Sequence, residues 1–427
     1  MNNDVEFAPV NVSMIGPFPH IWGGRIKGGG AATHVQGLIS VLHQYGVRLR
    51  ILADNTDAAR PVYIPELDDK VQVRYMIRPQ GLYAPRGLAR LGVGRVSRIT
   101  WKILSQSHLR RAAPLSYQLK FIAQAANFDQ FLTQQPAEIV HVHHAEFRQY
   151  LCQQVLGVDT PLVATAHSVN VLVRPFPDWL VSLVTSNYRQ ADWLIAVSNY
   201  VKDVIVQHGA DPDRITVIPN GVNIETFICG DSAMARERLD LPQNDFIVLF
   251  TGNLIPRKGV DVLLRAFQQL ADKHQNMRLV FIGRGPEREN LTTLATELGV
   301  ATRVTFAGYK PLTEMPLWYR ACNVFVMPSW AEGLSVSVLE ALACGRPVIT
   351  TFPEIGEHDA VKPGETGLLV DYGDAHQLTQ ALDQLASLPE LRRRLGENAR
   401  RLVEHEFSWD IVGYKTVQVY RTLLAER

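Results

Sequence analysis

Short apolar runs alternate with amphipathic stretches along most of this chain of 427 residues. Residues 10–15, Leu162–Ala166 and Val324–Met327 are typical of buried strands, whereas residues 199–208 repeat apolar side chains at helical spacing. Strands that alternate with helices predict a parallel, doubly wound α/β sheet. Because the length exceeds that of an ordinary single domain, we expect two such domains, with ligands at the carboxyl ends of the strands.

One strand, turn and helix stand out in the second half. The apolar strand Val324–Met327 leads through a turn into a predicted helix, Val336–Ala343, which Gly345 closes. The turn carries Glu332, and the helix carries Glu340 about 7 Å further along the axis, since a helix rises about 1.5 Å per residue. On spacing alone, an equally open interpretation is an ordinary strand, turn and helix that carries two acids on its surface.

The start of this helix is predicted to bind an anion. The first N–H groups of a helix have no internal partners and carry partial positive charge, so the backbone of Gly333, Leu334 and Ser335 forms an anion seat. Ser335 is expected to cap the helix. A nucleotide sugar, with an anionic middle and hydroxyl-rich ends, fits such a seat between two carboxylates.

Two further glycine turns join a strand to a helix. The first contains Gly29 and Gly30, where a backbone can approach an anionic group closely, although a mobile loop is the alternative. The second carries Arg257 and Lys258 just before a helix, where cations oppose the helix dipole. A bound anion would relieve that conflict, and a solvated turn is the other interpretation.

Composition excludes several classes of protein. The net charge is +1, so the whole molecule is not built to bind nucleic acid, and four scattered cysteines indicate neither a disulfide framework nor a zinc site. The first residues lack the features of a signal peptide and no apolar run is long enough to span a bilayer, so we expect a cytoplasmic protein.

Residues 70–128 contain no acidic residue and many Lys and Arg, interleaved with apolar residues such as Trp101. Three interpretations stay open: peripheral contact with an anionic membrane on its inner face, a pocket for an anionic or lipid-linked acceptor, or a solvated basic face.

Histidines crowd two predicted strand ends. The spacing of His141, His143, His144 and Glu146 does not put all their side chains on one side, so no metal site is predicted there. His167 follows the strand Leu162–Ala166 and is either a buried structural histidine or a residue facing the ligand.

The stretch from Glu332 to Glu340, with Ala341 to Gly345 after it, resembles the Glu-x7-Glu signature of the retaining glycosyltransferases of family 4, the group 1 set. The likeness covers nearly the whole chain and is densest over residues 193–370. It implies the GT-B architecture, in which two Rossmann-like domains face each other across a cleft and the last helix crosses back to the first domain. The implied domains are residues 1–225 with 408–427 on the acceptor side, and residues 226–407 for the nucleotide sugar.

The resemblance also implies roles for single residues. Glu332 would bind the donor's sugar hydroxyls, Glu340 its ribose, and Lys258 the leaving diphosphate, with His167 near the sugar. The remaining residues expected at the phosphates and base are Gly29, Gly30, Asn253, Arg257, Gly283, Tyr309, Lys310, Gly333, Leu334 and Ser335. Many members of the family have Arg at the position of Asn253, so either Arg257 supplies the second charge or the diphosphate is held less firmly.

The predicted function is transfer of a hexose-type sugar, with retention, from a nucleotide diphosphate sugar to an acceptor hydroxyl. UDP is favoured over GDP on family frequency, and the acceptor is lipid-linked or anionic. No cofactor and no metal are predicted, because the nucleotide sugar is a substrate and the turn cations replace a divalent ion. A nucleotide-sugar 2-epimerase of the same architecture, or a non-catalytic nucleotide-sugar-binding protein, are the alternatives.

Overall fold

The chain divides into two compact units. The structure is a computed structural model that describes residues 8–17, 30–53, 71–75, 92–105, 115–143, 148–149, 151–352 and 356–427. Unit 1 is Met1–Pro219 with Val412–Arg427, and unit 2 is Asn220–Ile411. The domain boundaries predicted after residues 225 and 407 stay a prediction.

Unit 1 is built on a parallel sheet. Its strands are Val10–Gly16 (β1), Val47–Ala53 (β2), Val71–Tyr75 (β3), Ile139–His143 (β4), Leu162–Ala166 (β5), Trp193–Ala196 (β6) and Ile215–Val217 (β7). Its helices are Gly30–Leu42 (α1), Val93–Ser105 (α2), Leu115–Leu132 (α3), Asn170–Val173 (α4), Asp178–Arg189 (α5) and Asn199–Gln207 (α6), with a π-helical turn at Leu151–Leu156. The described strands lie in the order β3-β2-β1-β4-β5-β6-β7, so the order reverses between β1 and β4.

Unit 2 repeats the design. Its strands are Phe246–Thr251 (β8), Met277–Ile282 (β9), Val304–Gly308 (β10), Val324–Met327 (β11), Val348–Phe352 (β12) and Gly367–Asp371 (β13). Its helices are Ser232–Arg238 (α7), Val260–Gln269 (α8), Arg288–Glu297 (α9), Met315–Ala321 (α10), Val336–Ala343 (α11), Ala375–Ser387 (α12) and Pro389–Glu406 (α13). The described strands lie in the order β10-β9-β8-β11-β12-β13, so this sheet reverses between β8 and β11.

Burial explains why these runs form central strands. Every residue of β4, β5, β8 and β11 is buried, as expected for strands covered on both faces, whose sequences are continuously apolar rather than alternating. All pairings among the described strands of both sheets are parallel. The predicted α/β class, with two parallel-sheet domains, is confirmed.

The last helix, Trp409–Ala425 (α14), returns the chain to unit 1. The Tyr420 hydroxyl lies 2.6 Å from Nδ1 of His141 on β4, and an added Cβ at Gly413 would lie only 2.7 Å from Val41 of α1. Close packing of this kind fixes α14 on unit 1, as predicted from the sequence.

Residues 227–245, which are rich in Gly, Asp and charge, contain α7. Asp231 caps this helix, since its carboxylate accepts from the backbone of Ala233 and Met234. Arg236 then anchors it by donating to the carbonyl of Ala321 at 3.0 Å. Within the described part of the chain, no helix combines the length and apolar character that crossing a membrane requires.

Candidate active site

The candidate site lies at the point where the order of the unit 2 sheet reverses. The loop after β8 and the loop after β11 leave neighbouring strands at their carboxyl ends, which is where open parallel sheets bind ligands. The two loops touch, because the Trp330 amide donates to the Arg257 carbonyl at 3.2 Å.

A carboxylate joins the two loops through two cations. Glu332 Oε1 lies 2.5 Å from Nη1 of Arg257, 2.7 Å from Nζ of Lys258 and 3.0 Å from Oγ of Ser329. The Lys258 amine also contacts the sulfur of Met327 at 3.7 Å, and only a tenth of its side chain is exposed. The adjacent cations of this turn are therefore held in place rather than solvated.

The charge state of Glu332 follows from these partners. Burial by itself would raise the pKa of this carboxyl, but the charges of Lys258 and Arg257 outweigh burial and hold the pKa below its ordinary value. Glu332 is thus ionised near neutral pH, and with two cations on one carboxylate the cluster keeps a net positive charge. A cluster of that sign suits a bound anion.

The second acid, Glu340, is held in a different way. It is buried in α11, and its Oε2 accepts a hydrogen bond of 2.7 Å from the hydroxyl of Tyr319 on α10. That hydroxyl is also 3.1 Å from Oγ1 of Thr251, the last residue of β8. Burial raises the pKa of Glu340 to about 7, and the Tyr319 hydrogen bond offsets only part of the rise.

The start of α11 differs in one detail from the sequence prediction. Ser335 occupies the N-cap position but makes no capping hydrogen bond, because its hydroxyl pairs with that of Ser337 at 2.8 Å. The turn is fixed instead from outside the helix, where the buried Asn220 amide donates to the Leu334 carbonyl at 2.6 Å. Gly333, Leu334 and Ser335 thus stand beside Glu332 at the first turn of α11.

Glycines let the loops of this edge pack closely. Gly259 has φ +61°, and an added Cβ would lie 2.2 Å from the Pro328 carbonyl oxygen at the end of β11. Gly283 has φ +140°, and its added Cβ would lie 1.8 Å from the Gly252 carbonyl oxygen. Side chains at these positions are excluded by backbone atoms, so the turn carrying Lys258 is bound to both neighbouring loops.

The loops after β9 and β10 place two further predicted residues. Tyr309 is partly exposed, and the Arg284 guanidinium lies over its ring at 5.4 Å. Lys310 lies over the ring of Trp318 at 5.4 Å and reaches Glu314 at 3.9 Å. An exposed aromatic ring beside a cation is a suitable surface for stacking a base. Asn253 is also exposed, on the turn after β8.

Unit 1 brings histidines together at the reversal of its own sheet. His143 ends β4, and its Nδ1 lies 3.2 Å from Nε2 of His167, which follows β5. His34 of α1 joins them, and one ring nitrogen from each of the three lies within 4.8 Å of the other two. His141 is instead held by Tyr420 and by Thr165, 2.7 Å from its Nε2. His144, Glu146 and Gly29 lie outside the described residues, and Gly30 opens α1.

The basic segment is partly described. In α2, Ile99 and Ile103 are buried, whereas 72% of Trp101 is exposed. Asp129 of α3, the residue just beyond the acid-free stretch, lies 2.6 Å from Arg95 and 2.8 Å from Arg98. Part of the positive charge counted from the sequence is therefore neutralised.

Sequence reasoning missed Tyr319, Thr251, Asn220 and His34. Thr251 was recognisable as the last residue of a strand at the carboxyl edge, and His34 lies in the helix that follows the first glycine loop. Tyr319 carries no comparable signal, because nothing in the sequence shows that α10 turns its hydroxyl toward Glu340.

Comparison with known families identifies matches for both units. Residues 28–226 match the family model described as Glycosyltransferase Family 4, and residues 231–402 match the model described as Glycosyl transferases group 1.

Curated relatives match over part of the chain. A D-inositol 3-phosphate glycosyltransferase of Acidothermus cellulolyticus is 40% identical over 57% of this chain, and the match spans about half of that relative's length, 54%. The D-inositol 3-phosphate glycosyltransferase 1 of Catenulispora acidiphila is 31% identical over 67% of this chain and 72% of its own length.

Solved structures share the fold over nearly the whole chain. The sucrose-phosphate synthase of Thermosynechococcus elongatus superposes with a TM-score of 0.80 at 24% identity, covering 98% of this chain and all of that one. Anabaena HepE in complex with UDP-glucose gives a TM-score of 0.70 at 19% identity, covering 97% and 100%. At these identities the likeness concerns the fold, which is that of the GT-B glycosyltransferases.

Proposed function

The chain belongs to glycosyltransferase family 4, the group 1 glycosyltransferases, and on this basis we propose that it moves a hexose-type sugar from a nucleotide diphosphate sugar to an acceptor hydroxyl. One observation carries the proposal more than any other. Arg257, Lys258 and Glu332 form a fixed, net positive cluster at the reversal point of the unit 2 sheet. That is the charge and the place that a departing nucleotide diphosphate requires.

The diphosphate would lie on this cluster. Lys258 and Arg257 face it from one loop, and the backbone of Gly333, Leu334 and Ser335 faces it from the start of α11. Because Glu332 already holds both cations in position, no side chain has to be reorganised as charge develops on the leaving group. Preorganised charge of this kind is the main source of rate in such sites. The second carboxylate oxygen of Glu332, Oε2, is assigned to the sugar hydroxyls.

The ribose and base would extend along unit 2. Glu340, held by Tyr319, is assigned to the ribose hydroxyls. The glycine turn at Gly283 and the exposed ring of Tyr309 are assigned to the base, with Lys310 beside them. UDP is the favoured nucleotide, because Anabaena HepE, of the same fold, is known in complexes with UDP and UDP-glucose.

The reaction is proposed to retain the anomeric configuration. The bond between C1 and the phosphate oxygen breaks, the bond between C1 and the acceptor oxygen forms on the same face, and the departing phosphate takes the acceptor's proton. A pair of carboxylates about 5 Å apart, as in retaining glycosidases, is not needed for this route. Trapping a covalent glycosyl intermediate on any Asp or Glu would contradict it.

No metal is assigned to the diphosphate, because two cations and the helix start already offset its charge. EDTA is therefore expected to leave transfer intact, and abolition of activity by EDTA would contradict the assignment. His167 is assigned to the donor sugar as a hydrogen-bonding residue, and the backbone of Gly29 and Gly30 to the donor phosphates.

The acceptor is proposed to be anionic. The curated relatives are named for D-inositol 3-phosphate, a phosphorylated polyol, and the basic residues 70–128 suit such a group. A lipid-linked acceptor would fit the same residues if α2 contacts an anionic membrane through Trp101 and Lys102. Sedimentation with vesicles separates the two, since a membrane role requires tighter binding to anionic than to neutral vesicles.

A donor screen tests the proposed function. UDP-, GDP- and ADP-sugars are compared by thermal shift, and the products are analysed with and without D-inositol 3-phosphate. Lys258→Ala is expected to lower transfer about 100-fold or more, whereas Lys273→Ala, an exposed lysine paired with Asp383, serves as control. Near-normal turnover by Lys258→Ala, or conversion of donor without any acceptor, as in an epimerase, would overturn the proposal.

A further inference from the structure

Three histidines converge at the carboxyl edge of the unit 1 sheet. His143 and His167 stand at the ends of the neighbouring strands β4 and β5, and His34 lies on α1, the helix after the adjacent strand β1. One nitrogen from each ring lies within 4.8 Å of the other two. His34 and His143 are buried, and His167 is half-buried.

The spacing suits a tetrahedral metal ion. Zinc bonds to imidazole nitrogen at about 2.0–2.1 Å, so two nitrogens on a tetrahedral ion are about 3.3 Å apart. His143 Nδ1 and His167 Nε2 are already 3.2 Å apart. The third nitrogen has to approach from within 4.8 Å, which rotation about the soft terminal torsion of the imidazole provides.

The surroundings fix the position of the His143 ring. The ring of His143 lies against that of His141, with centroids 4.4 Å apart, and His141 is fixed by Tyr420 and Thr165. On the other side, an added Cβ at Gly16 would lie 3.1 Å from Cβ of His143, so glycine leaves room for this side chain. His143 is therefore already in place and loses little entropy when an ion binds.

The donor set indicates the class of ion. The group consists of three imidazoles, and within the described part of the chain no carboxylate or thiol belongs to it. Imidazole suits zinc, copper and nickel, whereas magnesium and calcium prefer oxygen. We propose that His34, His143 and His167 form a binding site for a zinc-class divalent ion, with the fourth position left to water or an anion.

A hydrogen bond between neutral rings also brings His143 and His167 together, and it accounts for that pair in the metal-free protein. It does not account for His34, whose ring meets that of His167 edge to face at 4.8 Å. Three ring nitrogens within 4.8 Å of one another are an arrangement that a metal ion uses and that a single hydrogen bond does not require.

The consequence for activity rests on the proposed function. If His167 contacts the donor sugar, an ion that occupies its ring nitrogen removes that contact, so zinc inhibits transfer and a chelator restores it. This ion does not bind the diphosphate, because the diphosphate is assigned to Arg257 and Lys258 of unit 2. Metal binding itself does not depend on the identity of the reaction.

Cobalt(II) provides the direct test, because it replaces zinc and absorbs visible light intensely in tetrahedral sites. The full chain, freed of metal by a chelator that is then removed, is titrated with Co²⁺ and afterwards with Zn²⁺. One Co²⁺ per chain with a tetrahedral spectrum, displaced by one equivalent of Zn²⁺, is the expected result. His34→Gln and His143→Asn should each weaken binding by at least about 100-fold, since even residues that only support a ligand cost 10–100-fold. His405→Ala, an exposed histidine of α13, should change nothing.

A second measurement covers the case in which a buried variant does not fold. X-ray absorption of the zinc-loaded natural protein should show three imidazole nitrogens at about 2.0 Å. Fewer than three imidazoles, or Co²⁺ binding that survives in folded His34→Gln and His143→Asn, would overturn the site. In the activity assay, zinc should inhibit the natural protein. Inhibition of His34→Gln to the same extent should require at least tenfold more zinc. Zinc bound at the triad without inhibition would overturn the inhibitory role, whereas absence of any transfer would instead refute the proposed function.

Discussion

Replacing Glu340 by glutamine should stabilise the protein in a way that depends on pH. Burial raises the pKa of this carboxyl from its ordinary 4.5 to about 7, so the folded protein binds a proton that the unfolded chain has already released. The cost of keeping the carboxylate buried is absent below pH 4.5, grows as the pH rises, and is complete above pH 7. Glutamine keeps an oxygen to accept from Tyr319 but never ionises.

The size of the effect follows from the shift. Each pKa unit corresponds to about 1.4 kcal/mol, so the full cost is about 3 kcal/mol, of which about 2–3 kcal/mol develops between pH 5 and pH 8. In a unit of this size 1 kcal/mol moves Tm by about 2–4 °C. The Tm of Glu340→Gln should therefore increase by about 4–12 °C, relative to the Tm of the natural protein, between pH 5 and pH 8.

The assay is calorimetry of the full chain at both pH values. The quantity compared is the difference between variant and natural protein, because two units need not unfold in one transition. Glu297→Gln, an exposed glutamate of α9, is the matched control and should shift Tm equally at both pH values. A Glu340→Gln difference that is the same at pH 5 and pH 8 would refute the reasoning.

Three further perturbations follow from single contacts. Tyr319→Phe removes the hydroxyl that donates to Glu340, so KM for the donor should rise several-fold with kcat little changed. An equal rise in KM for Tyr414→Phe, a change at an exposed tyrosine, would contradict this. Gly259→Ala should cost at least about 3 kcal/mol of unfolding free energy, because its Cβ would meet the Pro328 carbonyl; Gly299→Ala, at similar φ but in open space, should cost about 1 kcal/mol. Asp129→Asn releases Arg95 and Arg98, so it should bind anionic vesicles more tightly than Asp178→Asn, which makes the same charge change on an exposed helix start. Equal sedimentation of the two Asp variants would mean that α2 does not meet the membrane.

The fold was predictable because its signals are local. Buried parallel strands such as Phe246–Thr251 are continuous apolar runs, and the glycine turns after them mark where each helix begins. The strands predicted at Leu162–Ala166 and Val324–Met327 are present with those bounds, and the strand predicted at residues 10–15 extends one residue further. Helix α7, in contrast, is anchored by a long-range hydrogen bond from Arg236 to the carbonyl of Ala321, which no local sequence pattern records.

The sequence predicted which loops form the site, but it did not predict the contacts between their side chains. Lys258 follows β8 and Glu332 follows β11, so the sequence places both residues at the carboxyl end of a strand. That the two residues are neighbours depends on the strand order, in which β11 lies beside β8. The Ser335 cap failed because a second serine two residues later competes for its hydroxyl. His34 lies in the helix after the first glycine loop, but its proximity to His143 and His167 depends on side chains that are distant in sequence.

The two acids of the Glu-x7-Glu spacing therefore differ in their electrostatic surroundings and in their charge state. Glu332 is ionised by two cations and holds them for the diphosphate, whereas Glu340 is buried beside a neutral tyrosine and keeps a proton up to about pH 7. If Glu340 must be a carboxylate to bind ribose hydroxyls well, donor affinity should increase as the pH rises through 7. The cost of holding that carboxylate in the free protein is then a cost of function, offset when the ribose hydroxyls donate hydrogen bonds to it.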